Sequence, residues 1–487
     1  PALPIPSSGQ PTVAGGPAST LVVKSDGTAW AFGLNNNGQL GDNSLTTRKW
    51  PKQIAGLSGI QAVAAGGVHS VALTSTGALY VWGDNLYGQV GDGFTTDRKT
   101  PVLLSLSNVI AIAAGEFHSL ALTSDGKVYA WGRNNFGQSG AGAPSNVTTP
   151  TVVINGGVVA IAAGRTHSLA VKDDGTVWAW GYNNRGQLGN GTSSSSEVNS
   201  TPAAMGSVSG AIKVAGGEEH SLILLSDGTA KAVGENGLGQ LGDGTTTDRF
   251  TAVPVSSLSN VTALTAGLDQ SFALLSDGTV RAWGTGDELG NGGGATVTTP
   301  TPVTALTGIA AIEAGWNHAI AVATDGVVST WGSVNSSGQQ GDGTITPQLS
   351  VTAISGSGSV WNTARPVLSP VGGTFTVNQN VSMISETVDP NLIIRYTTDG
   401  SDPDDSDAVY SSTVLVDRSL ILKARAWVGS NLSGVATGTF VLQVVTPTVS
   451  PAATTYTVPK SVTFSTTTAG AEIRFTTDGS TPTESST

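Results

Sequence analysis

Any chemistry in this chain must be built from five histidines, thirty-four carboxylates and twenty-two cationic side chains, because there is no cysteine. Thiol nucleophiles, thiolate metal sites and disulfides are therefore excluded. The histidines are His69, His118, His167, His220 and His318, and all five occupy one position of a recurring phrase, Ala-Gly-x-x-His-Ser. Metal ligands must converge on one point, and a catalytic triad needs a histidine beside a single nucleophile. A residue that returns unit after unit does neither. These histidines are expected to share one structural task, hydrogen-bonding a turn in each unit, and no catalytic residue is assigned.

The acids read the same way. Asp26, Asp125, Asp174, Asp227, Asp277 and Asp325 all precede a glycine, and Asp42, Asp92, Asp243 and Asp342 all follow one. Glu218 and Glu219 fall off the pattern as an adjacent pair on a loop. One acidic run lies outside the repeat: Asp399, Asp402, Asp404, Asp405 and Asp407. Calcium takes oxygen ligands, so this run is a candidate calcium site. Its spacing is not that of an EF-hand, and a solvated acidic turn is the competing reading. No other cofactor is expected.

The elements that carry these residues follow from the repeat. Its glycines are Gly15, Gly66, Gly115, Gly164, Gly217, Gly267 and Gly315, which makes seven units of about fifty residues. Two units replace the histidine, with Ala18 and Gln270. Within one unit, Ala113–Leu122 alternates as a strand, Asp125-Gly126 signals a two-residue hairpin, and Val128–Gly132 returns as the next strand. Asn134–Gln138 is a loop, and Val147–Val153 leads into the following unit. Four short strands per unit predict propeller blades. An aromatic precedes the second glycine at Phe32, Trp82, Trp131, Trp180, Trp283 and Trp331, with Val233 in unit five. One large ring per blade reads as packing between blades.

The phrase Ala-Gly-x-x-His-Ser-Leu-Ala-Leu-x-x-Asp-Gly-x-Val-x-x-Trp-Gly-x-Asn-x-x-Gly-Gln-Leu-Gly-Asp-Gly, nearly intact at 114–140, 163–191 and 216–244, resembles the regulator-of-chromosome-condensation repeat. The resemblance covers residues 11 to 361 and implies an all-β, seven-bladed propeller. Closure is expected to join a strand near Pro11–Val13 to Ser350–Ser355, so that first and last blades share strands. Exported bacterial propellers of this type grip a protein partner with one face. The nuclear member is a nucleotide-exchange factor for a small GTPase, a minor alternative for a chain of net charge −12.

After Trp361 the composition changes. Ile394-Arg395-Tyr396-Thr397-Thr398-Asp399-Gly400-Ser401, followed by Leu422–Ala426, resembles the chitobiase/β-hexosaminidase C-terminal domain, a small Ig-like β-sandwich without catalytic function. The pattern restarts at Val449, and Asp478 answers Asp399. The expected organisation is a propeller at 1–361, one β-sandwich at 362–443, and the first half of a second at 444–487.

Two positions vary freely between units: the pair after Ala-Gly and the pair before Gly-Gln. Variable loops on a fixed scaffold are where binding is placed, and Tyr, Trp, Phe and Arg are favoured anchors. Tyr87, Phe117, Phe136, Arg165, Arg185 and Trp316 are therefore the candidate partner-binding residues. An acidic surface disfavours nucleic acid, and no apolar run reaches the ~20 residues of a spanning helix. The chain opens Pro1-Ala2-Leu3-Pro4 without Met, read as a mature end after signal-peptide removal and hence an extracellular or cell-surface protein. The function expected from these features is non-enzymatic. One reading is a structural or assembly subunit, its unfinished sandwich completed by another chain. The other is a monomeric module that binds a protein or glycan through one propeller face.

Overall fold

The computed structural model describes residues 12–485 apart from 207, 357–359, 362, 386, 388–390, 430 and 469–470. The chain divides between 362 and 363 into two compact units.

Among its described residues the first unit contains seven four-stranded antiparallel sheets, each made of four consecutive strands. The first uses Thr12–Gly15, Ser19–Val23, Ala29–Gly33 and Arg48–Gln53. The third uses Val109–Ala114, His118–Thr123, Lys127–Gly132 and Val147–Asn155. The two middle strands of each blade are buried on both faces, which explains their near-continuous apolar sequences. The hairpin between them is one residue longer than its sequence suggests. Only the glycine takes positive φ, 78° at Gly126, and its N–H donates to the Thr123 carbonyl at 2.9 Å. This is a three-residue turn ending in a left-handed glycine, with the preceding acid in ordinary backbone. The acid caps the turn instead: Asp26 Oδ1 accepts the Thr28 N–H at 2.9 Å.

The innermost strands of successive sheets lie side by side, and Thr12–Gly15 meets Ile309–Ala314 to close the ring. First and last blades share no strand among the described residues. Thr12–Gly15 pairs with Ser19–Val23 in its own blade, and Thr352–Ala353 pairs with Val328–Gly332. Shared-strand closure is thus replaced by side-chain packing, in which Val13, Val22 and Phe32 bury against Ile320, Val322 and Val328. Pro11 lies outside the described residues.

The second unit holds a three-stranded sheet, with Val367–Ser369, Gln379–Ile384 and Val414–Val416. A larger sheet is built on Leu392–Thr397, Leu420–Val428 and Ala436–Leu442. Leu420–Val428 alternates inward and outward, sending Leu422, Ala424 and Ala426 into a core with Val381, Met383 and Phe440. Farther on, Thr448–Ser450 pairs with Thr463–Ser465.

Candidate binding face

Five of the seven seams between blades are stitched by the same relay. His118 Nε2 lies 2.9 Å from Ser168 Oγ of the next blade, and Ser168 Oγ donates to the Gln138 carbonyl at 2.8 Å. Because the serine proton goes to the carbonyl, the serine must accept from the imidazole, so Nε2 carries the histidine proton. The pattern returns as His69–Ser119, His167–Ser221, His220–Ser271 and His318–Thr20. The same Gln138 carbonyl accepts the Trp180 indole N–H at 3.0 Å. Gly115 is required because a Cβ there would overlap the His118 ring. The histidines therefore bond the neighbouring blade's hydroxyl, not a turn of their own. Burial holds them neutral, pushing His69, His118 and His220 down to about 3 and His167 and His318 to about 4.

The relay also corrects the register of the first unit. Gly16 N–H donates to the Ser19 carbonyl as Gly115 does to His118, and Thr20 accepts from His318. Ser19 holds the histidine position, one residue beyond Ala18. In unit five, where Val233 replaces tryptophan, Met205 fills the space over Gly189.

Antiparallel order brings two loops of every blade to one end of the ring: the loop joining its first and second strands, and the loop joining its third and outer strands. The second is set by a buried asparagine. Asn85 Oδ1 accepts the Val90 N–H, while Nδ2 donates to Asp92 and to the Phe94 and Thr96 carbonyls. The Gly-Asp acids serve this loop, and Asp42 is held near 2 by Ser44 and Arg48 despite its burial.

Above this scaffold the predicted residues gather into three groups. Tyr87 and Phe117 meet edge to face at 5.2 Å, and Phe136 packs on Tyr182 at 4.4 Å. Arg133 sits among them, its guanidinium 5.0 Å from the Tyr87 ring and 5.6 Å from both Phe117 and Phe136. Its Nε is buried without a hydrogen-bond partner. Arg165 spans the mouth of the central channel, 5.1 Å from the Trp316 ring and paired with Glu116 and Glu218. Arg185 is bracketed by Glu219, Glu235 and Asp248 at 3.4–3.6 Å.

Inside the channel the repeat presents Ala14, Ala64, Ala113, Ala162 and Ala215, then Thr265 and Glu313. Burial pushes Glu313 up to about 7. At the channel mouth Glu313 shares a cavity with Glu116 and Glu218, whose carboxylates pair with Arg165.

The acidic run of the second unit is not gathered around one point. Asp399 caps Ser401, Asp404 caps Ser406, Asp407 accepts the Asp404 N–H, and Asp402 pairs with Lys423 at 2.8 Å. Among the described residues no group of three His, Cys, Asp or Glu has metal-holding geometry.

The RCC1-like domain matches residues 4–307 and again 104–377, an offset of two repeat units. The chain belongs to the RCC1-like family. No curated protein matches it. Among solved structures it is similar to yeast RCC1 (Prp20) bound to Kap60, with 24% identity, 67% of this chain and 83% of that one covered, and TM-score 0.60. It is similar too to human WBSCR16, with 22% identity, 68% and 94% covered, and TM-score 0.60. A further likeness is Prp20p from Saccharomyces cerevisiae, studied for binding to Gsp1p and histones, with 24% identity, 63% and 81% covered, and TM-score 0.57. At these identities the likeness shows the fold. The chitobiase/β-hexosaminidase C-terminal domain matches 370–437 and 451–487. Neither matched region is a catalytic domain.

Sequence reasoning missed Arg133, Tyr182, Glu235, Glu288 and Glu313. For the RCC1-like units a signal existed. The residue directly after the second glycine changes from blade to blade as Leu34, Asp84, Arg133, Tyr182, Glu235, Thr285 and Ser333. It is a third variable position, rooted on a strand end, and it supplies the centre of the aromatic group.

Proposed function

We propose that this RCC1-like propeller is an extracellular protein-binding module that grips its partner with the face described above. The observation that carries the reading is Arg133, a cation among three aromatic rings with a buried nitrogen left without an acceptor. Aromatic and arginine anchors are the commonest interface hot spots, and an unmatched donor is satisfied by a partner's carboxylate or carbonyl. The chitobiase-type modules support work outside the cell, with a propeller at 1–361, one sandwich at 362–443 and part of another at 444–487.

Photo-cross-linking tests this. A benzophenone amino acid is placed at Phe117 or Phe136, and on the opposite end at Asp174. The expected result is one defined heterologous adduct from the first two positions and none from the third. Equal adducts from both ends overturn the reading. An adduct of the chain with itself replaces it with assembly.

A further inference from the structure

One edge of the face departs from the repeat at three positions together. In the sixth blade Gln270 replaces the histidine, the buried asparagine is lost where Gly286 follows Thr285, and Glu288 replaces the buried glutamine that the six other blades share. The loop is shortened and closes through a tight turn, Gly286–Glu288.

The exchange of glutamine for glutamate changes what the position can do. Gln240 accepts the Leu238 N–H at 2.9 Å and donates to Asp269 at 3.0 Å. A carboxylate has no proton to donate. Glu288 Oε1 accepts from Asn317 Nδ2 at 2.8 Å and Ser333 Oγ at 2.6 Å, but Oε2 is buried without a hydrogen-bond partner in a side chain only 3% exposed. Burial pushes the Glu288 carboxyl up, and holding it charged there calls for a cation.

Among the described residues no cation pairs with Glu288. Glu218, Glu219, Glu235, Asp248 and Asp269 share the arc with Glu288, and the cations paired within it are Arg165 and Arg185. Arg165 is drawn as well toward Glu116 on the far side. Burial first, then Glu219, pushes Glu235 up to about 7, and burial with Glu218 and Glu288 pushes Asp269 up to about 6. The arc holds more negative charge than it balances. With no metal-holding geometry among the described residues, the fitting cation is an organic one.

We propose that this arc seats one basic side chain, an arginine or lysine, of the protein partner, with Glu235, Asp269 and Glu288 as its carboxylates. The inference rests on the protein-binding reading above and adds the partner's chemistry. A guanidinium fork suits several carboxylates at once, and Leu238, 40% exposed beside the arc, offers cover for its methylene stem.

The test pans a display library of random twelve-residue peptides on the full chain. Glu288→Gln, which restores the residue of the other blades, and Asp269→Asn are the arc variants, and Tyr87→Ala/Phe117→Ala is the aromatic control. Recovered binders are expected to be enriched in Arg or Lys and to lose at least tenfold in affinity on the arc variants. Replacing their arginine by citrulline should lose as much. Binders lost on the aromatic control but indifferent to the arc variants and to citrulline overturn this inference and leave the face standing. Binders indifferent to every variant overturn both. Recovery of none, or of binders without basic residues, also overturns the inference.

Discussion

The buried relay layer and the loop face directly above it are built on the same blades, yet they use side chains in opposite ways. Below, His118, Ser168, Gln138 and Trp180 form one pattern in which the donors meet acceptors across the seam, and only the imidazole Nδ1 is left without a partner, alike in all five units. Above, Arg133 and Glu288 each keep a buried polar atom without a partner. Repetition satisfies the donors of the relay because each blade meets the same neighbour. Variation at three loop positions leaves some of them open, and open groups on a rigid support are what a partner can use.

Acid should separate the layers most strongly. The five histidines have folded values far below the ordinary ~6.5, so the unfolded chain binds their protons first. Their contribution to stability is fully present above about pH 6.5 and falls as pH drops toward their values of about 3 to 4. Each adds up to about 1.4 kcal/mol per pH unit. Glu235 and Asp269 have the opposite sign. Their folded values are raised to about 7 and 6, so they favour folding at low pH and lose that favour as pH rises through 4 to 7. Denaturation midpoints followed from pH 8 to 4 should fall steeply, and less steeply once His118 and His167 are both replaced by glutamine. A flat profile would break the distinction.

Next in size, Trp131→Ala should cost about 3–5 kcal/mol through the cavity it leaves, while Phe136→Ala on the face should cost under about 1 kcal/mol. Equal losses in guanidinium titrations would mean the aromatic group is core. Ser168→Ala removes the middle of one relay and strands the His118 proton, at about 1–3 kcal/mol. Its thermal shift should exceed that of Asp174→Ala at an exposed turn. Smallest of all, millimolar calcium against chelator should leave the melting temperature unchanged, since the Asp399–Asp407 carboxylates already cap turns or pair with Lys423.

What the sequence disclosed and what it hid divide along the same line. Strands, hairpins and the inter-blade indoles were legible because they depend on local spacing, which the repeat states seven times. The first unit's register was hidden by the absence of a histidine to anchor it, so Ala18 took the place of Ser19. Arg165 and Trp316 stand far apart along the chain and meet only because the ring closes over the channel mouth. Arg133 was hidden because it stands between Gly132 and Asn134, which recur from unit to unit, and the position looks structural until Tyr87 and Phe117 arrive from other loops. Closure itself was misjudged because apolar packing of Val13 and Phe32 against Ile320 leaves no mark of pairing in the sequence.

The relays also have a direction. Each histidine reaches forward to the following blade, Gln270 does so through the Gly315 and Trp316 carbonyls, and His318 reaches across the ends of the ring to Thr20. Ser19 is too short to continue the series, and among the described residues no side chain of the first blade bonds Ser70. The covalent break in the ring, between the seventh blade and the first, is therefore guarded by a histidine, while the seam that lacks one lies inside continuous chain. In hydrogen exchange the first and second blades should be the pair that parts most readily, a hinge held shut by its own linker at 54–59, with the termini on the firmer side.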